Sequence, residues 1–232
     1  MSLLDAVVAA GPIPPDSSAR AEKKRYSELL SKHLAVEAAD GLRLQGFPGV
    51  RPSRGGPGER AFQGGLGPKK VDVSYSDEQH GLILAVSVKT ISFAPFGKNL
   101  KNRFFDILSE SITLHLRFPY SVVCGLFALP VASSRDTTPL RQTPTFHRAA
   151  DLLATVSGRQ EYTDPGEKLE DVTMLLFEPI HQDRETPSVQ LYTVNPLEEI
   201  SEERYFRRIK ELHDLRNPHA AIGDTEPDPD DE

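Results

Sequence analysis

The stretch VDVSYSDEQHGLILAVSVKT, residues 71–90, gathers a carboxylate, a hydroxyl and an ammonium in one short run: Asp72, Ser87 and Lys89. The eight residues GLILAVSV (81–88) read as a strand buried on both faces, yet they run straight into Lys89. An ammonium at the edge of such a strand is costly unless an anion meets it. Ser87 and Lys89 are two apart and share a face of their strand. Pairing 69–76 with 82–93 as an antiparallel hairpin around 77–81 brings Asp72 and Lys89 to the same sheet edge. A carboxylate, a lysine and a small hydroxyl placed together suit a hard cation and a phosphodiester. The carboxylate takes the metal, and the lysine steadies or deprotonates the attacking water.

The elements that must position these groups follow from periodicity and punctuation. Residues 1–16 read as a flexible N-terminus, with Pro12, Pro14 and Pro15 arguing against an early helix. Segment 17–41 reads as a helix capped by Ser17 or Ser18 and ended by Gly41. Segment 43–70 reads as a flexible basic loop, with eight glycines and four prolines between positions 46 and 68. It matches neither a P-loop nor a dinucleotide fingerprint, since no glycine–lysine–Ser/Thr run follows. After the strand pair, 98–118 is a helix with Leu100, Phe104, Ile107, Leu108 and Leu114 on one stripe. Strand 119–131, helix 146–159, strands 172–179 and 188–194, and helix 201–216 complete the order. Residues 17–218 therefore read as a single α/β domain, with a mixed central sheet flanked by helices.

The order of helix, strand with Asp72, strand ending in SVK (87–89), helix and strand over residues 20–130 resembles the PD-(D/E)xK nuclease superfamily. The resemblance implies a restriction-endonuclease-like core and metal-dependent hydrolysis of DNA, with Mg²⁺ as cofactor and Mn²⁺ as a substitute. It also implies a homodimer and a restriction or defence role. One departure stands out: the family's pattern has an acid two residues before the lysine, and here it is Ser87. Some members carry S-x-K and draw the missing acid from the following helix. Asp106 and Glu110 are the candidates here, four residues apart and placed on the polar side opposite the apolar stripe, with Asn99, Asn102, Arg103 and Thr113. The family's first helix often adds a glutamate to the metal site, for which Glu28 and Glu37 are the options. For a DNA backbone the candidate cations are Lys98, Lys101 and Arg103 at the helix start and Arg51, Arg54, Lys69 and Lys70 in the basic loop.

Bulk composition is consistent with this without demanding it. At 38% hydrophobic and 26% charged residues, the chain matches ordinary globular proteins. Its single cysteine, Cys124, rules out an intrachain disulfide and suits a reducing, cytoplasmic setting. The net charge of −7 is largely local, because six acids fall within residues 223–232. Without them, 28 acids face 27 bases, so the body is close to neutral. Residues 219–232 read as a disordered acidic tail.

Plainer readings stand beside each choice. Lys89 alone could snorkel to solvent, and Asp72 alone could be a hydrated turn carboxylate. Cys124 reads as a small core residue, and the seven histidines form no ligand pattern. Ser87 also fits a member of the superfamily that has lost catalysis and serves as a DNA-binding or protein-interaction module. A third reading is an accessory protein whose acidic tail binds a basic partner.

Overall fold

A computed structural model describes residues 2–181 and 186–220. Its frame is a six-stranded sheet in sequential order: β3 (Val73–Asp77), β4 (Gly81–Thr90), β5 (Val122–Pro130), β6 (Asp171–Glu178), β7 (Ser188–Thr193) and β8 (Glu199–Ile200). Strands β4, β5 and β6 run parallel, while β3 pairs antiparallel with β4, and β7 and β8 close the other side antiparallel. A separate two-stranded hairpin, β1 (Arg60–Gly64) with β2 (Gly67–Val71), precedes β3.

The central strands are mostly apolar because helices cover both faces, with Ser87 and Lys89 of β4 and Asp171 and Thr173 of β6 as buried exceptions. Val122, Cys124, Leu126 and Ala128 of β5 join a core with α1 (Leu3–Ala10), α2 (Arg20–Leu44) and α5 (Glu202–Arg216). Val123, Phe127 and Leu129, the alternate residues, join a second core with α3 (Phe96–His115) and α4 (Thr145–Ala154). The expected α/β architecture with a mixed sheet between helical layers is thus what the chain forms. Cys124 is buried in the first core, as expected of a small packing residue. Ser201 caps α5 by accepting from Arg204 N at 3.1 Å, with Glu202 and Glu203 in the first turn.

Three segments differ from the sequence expectation. Residues 3–10 form α1, because the prolines at 12, 14 and 15 lie beyond its end at Gly11 and so cannot break it. Glu202 accepts from Leu3 N at 3.0 and 3.1 Å, tying this helix to the start of α5. Helix α2 runs through Gly41 to Leu44; the ring of Phe206 fills the space a Cβ at Gly41 would need, with its nearest carbon 2.2 Å from that position. Segment 43–70 is pinned, not a free loop: Arg43 donates to Asp40, Val50 O and Pro52 O, and Arg54 pairs with Glu37 and Asp40. Its second half is the β1–β2 hairpin, whose glycines at 64 and 65 lie against Thr113 and against Leu116 at the end of the 96–115 helix. The expected acidic tail falls, but for residues 219 and 220, outside the described residues. Among the described residues no helix is long and apolar enough to cross a membrane.

His213 of α5 is wholly buried, packed edge-on against Phe47 at 4.9 Å and near Tyr75 at 6.2 Å. Burial pushes its pKa below the usual 6.5, although Asp214, 2.8 Å from Nδ1, opposes the shift. As pH falls through about 6.5 the unfolded chain takes up this proton first, so the folded state loses stability on the acid side. Thermal melts between pH 7.5 and 5.5 should show a falling midpoint in the native protein and a shallower fall in His213→Gln. Equal slopes would remove His213 as a cause.

Candidate active site

Asp72 occupies the single residue between β2 and β3, where the chain leaves the hairpin and enters the main sheet. The antiparallel register pairs Val73 with Val86, and just beyond it Asp72 Oδ2 accepts from Val88 N at 2.8 Å. The carboxylate thus fixes itself to β4 where the β3 ladder stops. Ser87 and Lys89 alternate with Val86 and Val88, so the valines enter the core under α2 while the polar pair faces α3.

Glu110 reaches that face from α3. Its Oε2 lies 2.8 Å from Lys89 Nζ and accepts from Ser87 Oγ, while its Oε1 lies 3.0 Å from Lys69 Nζ of β2. Lys89 Nζ is also 3.3 Å from Asp72 Oδ2. Two carboxylates and two ammonium groups therefore share one center, with the side chain of Lys89 only 9% exposed. The center opens on a cleft of about 600 Å³ whose lining includes Asp72, Lys89, Glu28, Phe93, Asn99 and Arg103.

The electrostatics are unequal. Burial, reinforced by the nearby Glu110, holds the Asp72 carboxyl above its usual range even though Lys89 and the Val88 amide favor the charged form. For Glu110, burial works in the same direction, but Lys89, Ser87 and Lys69 outweigh it, and the carboxyl sits below its usual range. Burial disfavors the Lys89 ammonium, yet Glu110 and Asp72 more than offset it and raise its pKa. Lys89 is a cation at neutral pH, and Asp72 is the carboxylate with least compensation.

Of the residues expected from sequence, Asp72, Ser87, Lys89 and Glu110 come together. Asp106 does not: it is 47% exposed and pairs with Arg103 at 3.1 Å. The expectation that Glu110 lies opposite the apolar stripe is also corrected, since Glu110 is buried on the same side as Ile107 and Leu114. Glu28 is exposed, lines the same cleft as Asp72 and pairs with Lys24 at 3.4 Å. Glu37 is committed to Arg54. Arg103 lines the cleft, and Lys98 and Lys101 are exposed at the start of α3. Arg51 is held through its backbone to Ser74, Arg54 is engaged with α2, and Lys70 pairs with Glu59.

From sequence Lys69 reads as a backbone-binding cation, and its place beside Glu110 is new in the structure. The signal was the period of two in β2, which puts Lys69 on the same side as the buried Val71.

A second constellation resembles a nucleophile with its base. Ser111 Oγ lies 3.1 Å from His115 Nδ1, and His115 Nε2 lies 3.3 Å from Glu170 Oε2. Ser111 is wholly buried and donates to Gly166 O at 2.9 Å, so no substrate reaches it. Glu170 also holds Arg159 at 2.7 Å and Arg216 at 3.1 Å, and accepts from Val123 N at 2.8 Å. This cluster locks the segment after α4 to α3 and β5 and is structural.

Among the described residues no three His, Cys, Asp or Glu side chains converge as a ready-made metal cage. Asp72 and Glu110 offer two carboxylates, and Mg²⁺ commonly binds through one or two carboxylates plus substrate phosphates. Compared with known proteins, the chain matches no family model, no curated protein and no solved structure.

Proposed function

We propose that this chain is a metal-dependent endonuclease that hydrolyses phosphodiester bonds in DNA. The observation that carries the reading is Glu110: it meets Lys89 and Ser87 from the helix after the S-x-K strand, supplying the acid that Ser87 lacks. The order α2, β3, β4, α3, β5, with β3–β4 antiparallel and β4–β5 parallel, supports the likeness to a restriction-endonuclease-like core.

In this reading Asp72 and Glu110 would hold Mg²⁺, or Mn²⁺ in its place. The bound ion supplies a lowered pKa for water and neutralization of charge on the phosphorane. Lys89 enters as an ammonium and orients the attacking water and the phosphate oxygens from between the two carboxylates. Ser87 fixes the rotamer of Glu110 by donating to it, and Lys69 holds the other oxygen of the same carboxylate. The Asp72 side chain is anchored by the Val88 amide, so its direction is set before any ligand arrives.

The test is cleavage of supercoiled plasmid with Mg²⁺, Mn²⁺ or EDTA by the native protein and three variants. Asp72→Ala and Glu110→Ala should each lose at least about 100-fold in rate, since neither leaves a metal-holding pair. Asp106→Ala should cut like the native protein. Undiminished cutting by Asp72→Ala, or no metal-dependent cutting by folded native protein, overturns the reading.

One observation favors a second reading, a nuclease-like module without catalysis. Lys69 and Lys89 already balance the two acids, so the center is formally neutral as it stands. A cation that binds only the folded state raises the melting temperature by mass action. An inert module should ignore both ions.

A further inference from the structure

Helix α3 begins without a side-chain cap and carries no acid in its first turn. At Gly97, its second residue, two guanidinium groups from later in the chain converge on one point. A Cβ there would sit 3.0 Å from Arg141 Nη1, 3.2 Å from Arg148 Nη1 and 3.4 Å from Thr145 Oγ1. Asp136 answers only part of this charge: it takes Arg141 Nη2 at 3.1 Å and accepts from Thr145 N and Oγ1 at 2.6 and 2.5 Å. Thr145 is therefore occupied, while Arg141 Nε is buried with no hydrogen-bond partner among the described residues. Arg148 is half-buried and makes no ion pair or side-chain hydrogen bond among the described residues. Two guanidinium groups held this close repel unless an anion lies between them, and a guanidinium fork is matched in shape to phosphate oxygens.

We infer that Arg141 and Arg148, over the bare backbone of Gly97, form a cradle for a backbone phosphate of the nucleic-acid strand whose scissile bond lies at Lys89. The inference rests on the nuclease reading of the cleft. Position along α3 supports the choice of ligand: Gly97 faces Thr145 and Arg148 of α4, while Asn99, two residues on, faces the cleft, so a strand laid across the start of the helix meets both. Residues 91–95 lead directly from the end of β4 into α3, and Asn99 and Arg103 of the same helix line the cleft with Lys89. Lys98 and Lys101 stand exposed beside the cradle, and the start of the helix, which no side chain caps, favors an anion in the same place. The glycine matters because any side chain there would fill the cradle.

The experiment is fluorescence anisotropy of a labeled DNA duplex in EDTA across a salt series, for the native protein, Arg148→Ala and Arg148→Gln, with melting temperatures to verify folding. Either variant should bind roughly tenfold more weakly, and the slope of log K against log salt should drop by about one, the signature of one lost phosphate contact. A single methylphosphonate near the cut site should weaken the native protein and leave Arg148→Ala unaffected. Native affinity and slope in both folded variants overturn the cradle while leaving cleavage as it was measured.

If the native protein neither binds nor cuts DNA, the cradle and the nuclease reading fall together. If it binds with an Arg148-dependent slope but does not cut, the cradle stands and the hydrolytic reading falls. If inorganic phosphate raises the melting temperature of the native protein and not of Arg148→Ala while DNA affinity is equal, the site takes a small oxyanion and the strand assignment is overturned.

Discussion

Lys89→Ala is expected to lose plasmid cleavage by about 100-fold or more, the range in which positioned proton-transfer and water-orienting groups contribute. The side chain is enclosed, 2.8 Å from Glu110 and 3.3 Å from Asp72, and among the described residues it is the cation paired with both carboxylates. Lys89→Met separates the stem from the charge, since it keeps the packing of the alkyl chain and removes the ammonium; it should be as inactive as alanine. Both variants leave two buried acids with only Lys69 for company, so Mg²⁺ should raise their melting temperatures more than that of the native protein. That result can be read without any activity. Cleavage within a few-fold of native by Lys89→Met would remove the lysine from the mechanism.

The pH profile follows from the same center. With its pKa raised, Lys89 remains an ammonium across the neutral range, so its titration does not set the acid limb. Asp72, held above its usual range by burial, is the group whose protonation discharges the pair as pH falls. Activity should therefore decline toward acid as Asp72 gains its proton. In the Asp72→Asn protein the remaining activity should no longer show that limb.

Glu170→Ala should be the most damaging single change to stability, at about 3–5 kcal/mol, because it strands buried positive charge. Arg159 is 1% exposed and Arg216 8%, and both lose their carboxylate partner at once. The Val123 amide at the start of β5 loses its acceptor as well. For a chain of this length the loss corresponds to a fall on the order of 10 °C in melting temperature. Burial opposes ionization of Glu170, but His115, Arg159 and the Val123 amide outweigh it and lower its pKa. Its contribution is thus fully present above about pH 4.5 and is lost as pH falls through the lowered folded value. Glu170→Gln keeps the shape and an acceptor, so it should fall between the two. A loss under about 1 kcal/mol for Glu170→Ala by urea unfolding would contradict the proposed role of this cluster.

The parts of this structure legible in the sequence are those decided locally. The apolar run at 82–88 could only be a covered strand, Ser201 with two glutamates could only start a helix, and Asp72 and Lys89 flank one tight turn. The rotational phase of α3 was not local. Its buried side includes Glu110, Ser111, Thr113 and His115 beside Leu100, Ile107 and Leu114, so the apolar stripe alone puts Glu110 outside with Asp106. Glu110, Ser111 and His115 are inside because Lys89, the Gly166 carbonyl and Glu170 meet them from elsewhere in the chain, while Thr113 bonds back to the Ser109 carbonyl one turn earlier in α3. Glycine content made 43–70 look loose for the same reason: the guanidinium groups of Arg43 and Arg54 that fasten it find partners only after α2 has folded. Arg141 and Arg148 carry no signal in sequence, since their meeting at Gly97 depends on how α4 docks against α3.

Lys69, Asp72, Ser87, Lys89 and Glu110 all lie within residues 69–110, whereas the contact that closes the fold joins Leu3 to Glu202. The center is therefore a low-contact-order assembly inside a high-contact-order molecule. Its loops cost little entropy to close, and β3, β4 and α3 can bring it together before the ends of the chain have met. Opening of the α1–α5 junction is then a subglobal event that spares the carboxylates, and hydrogen exchange should place those two regions in different cooperative units.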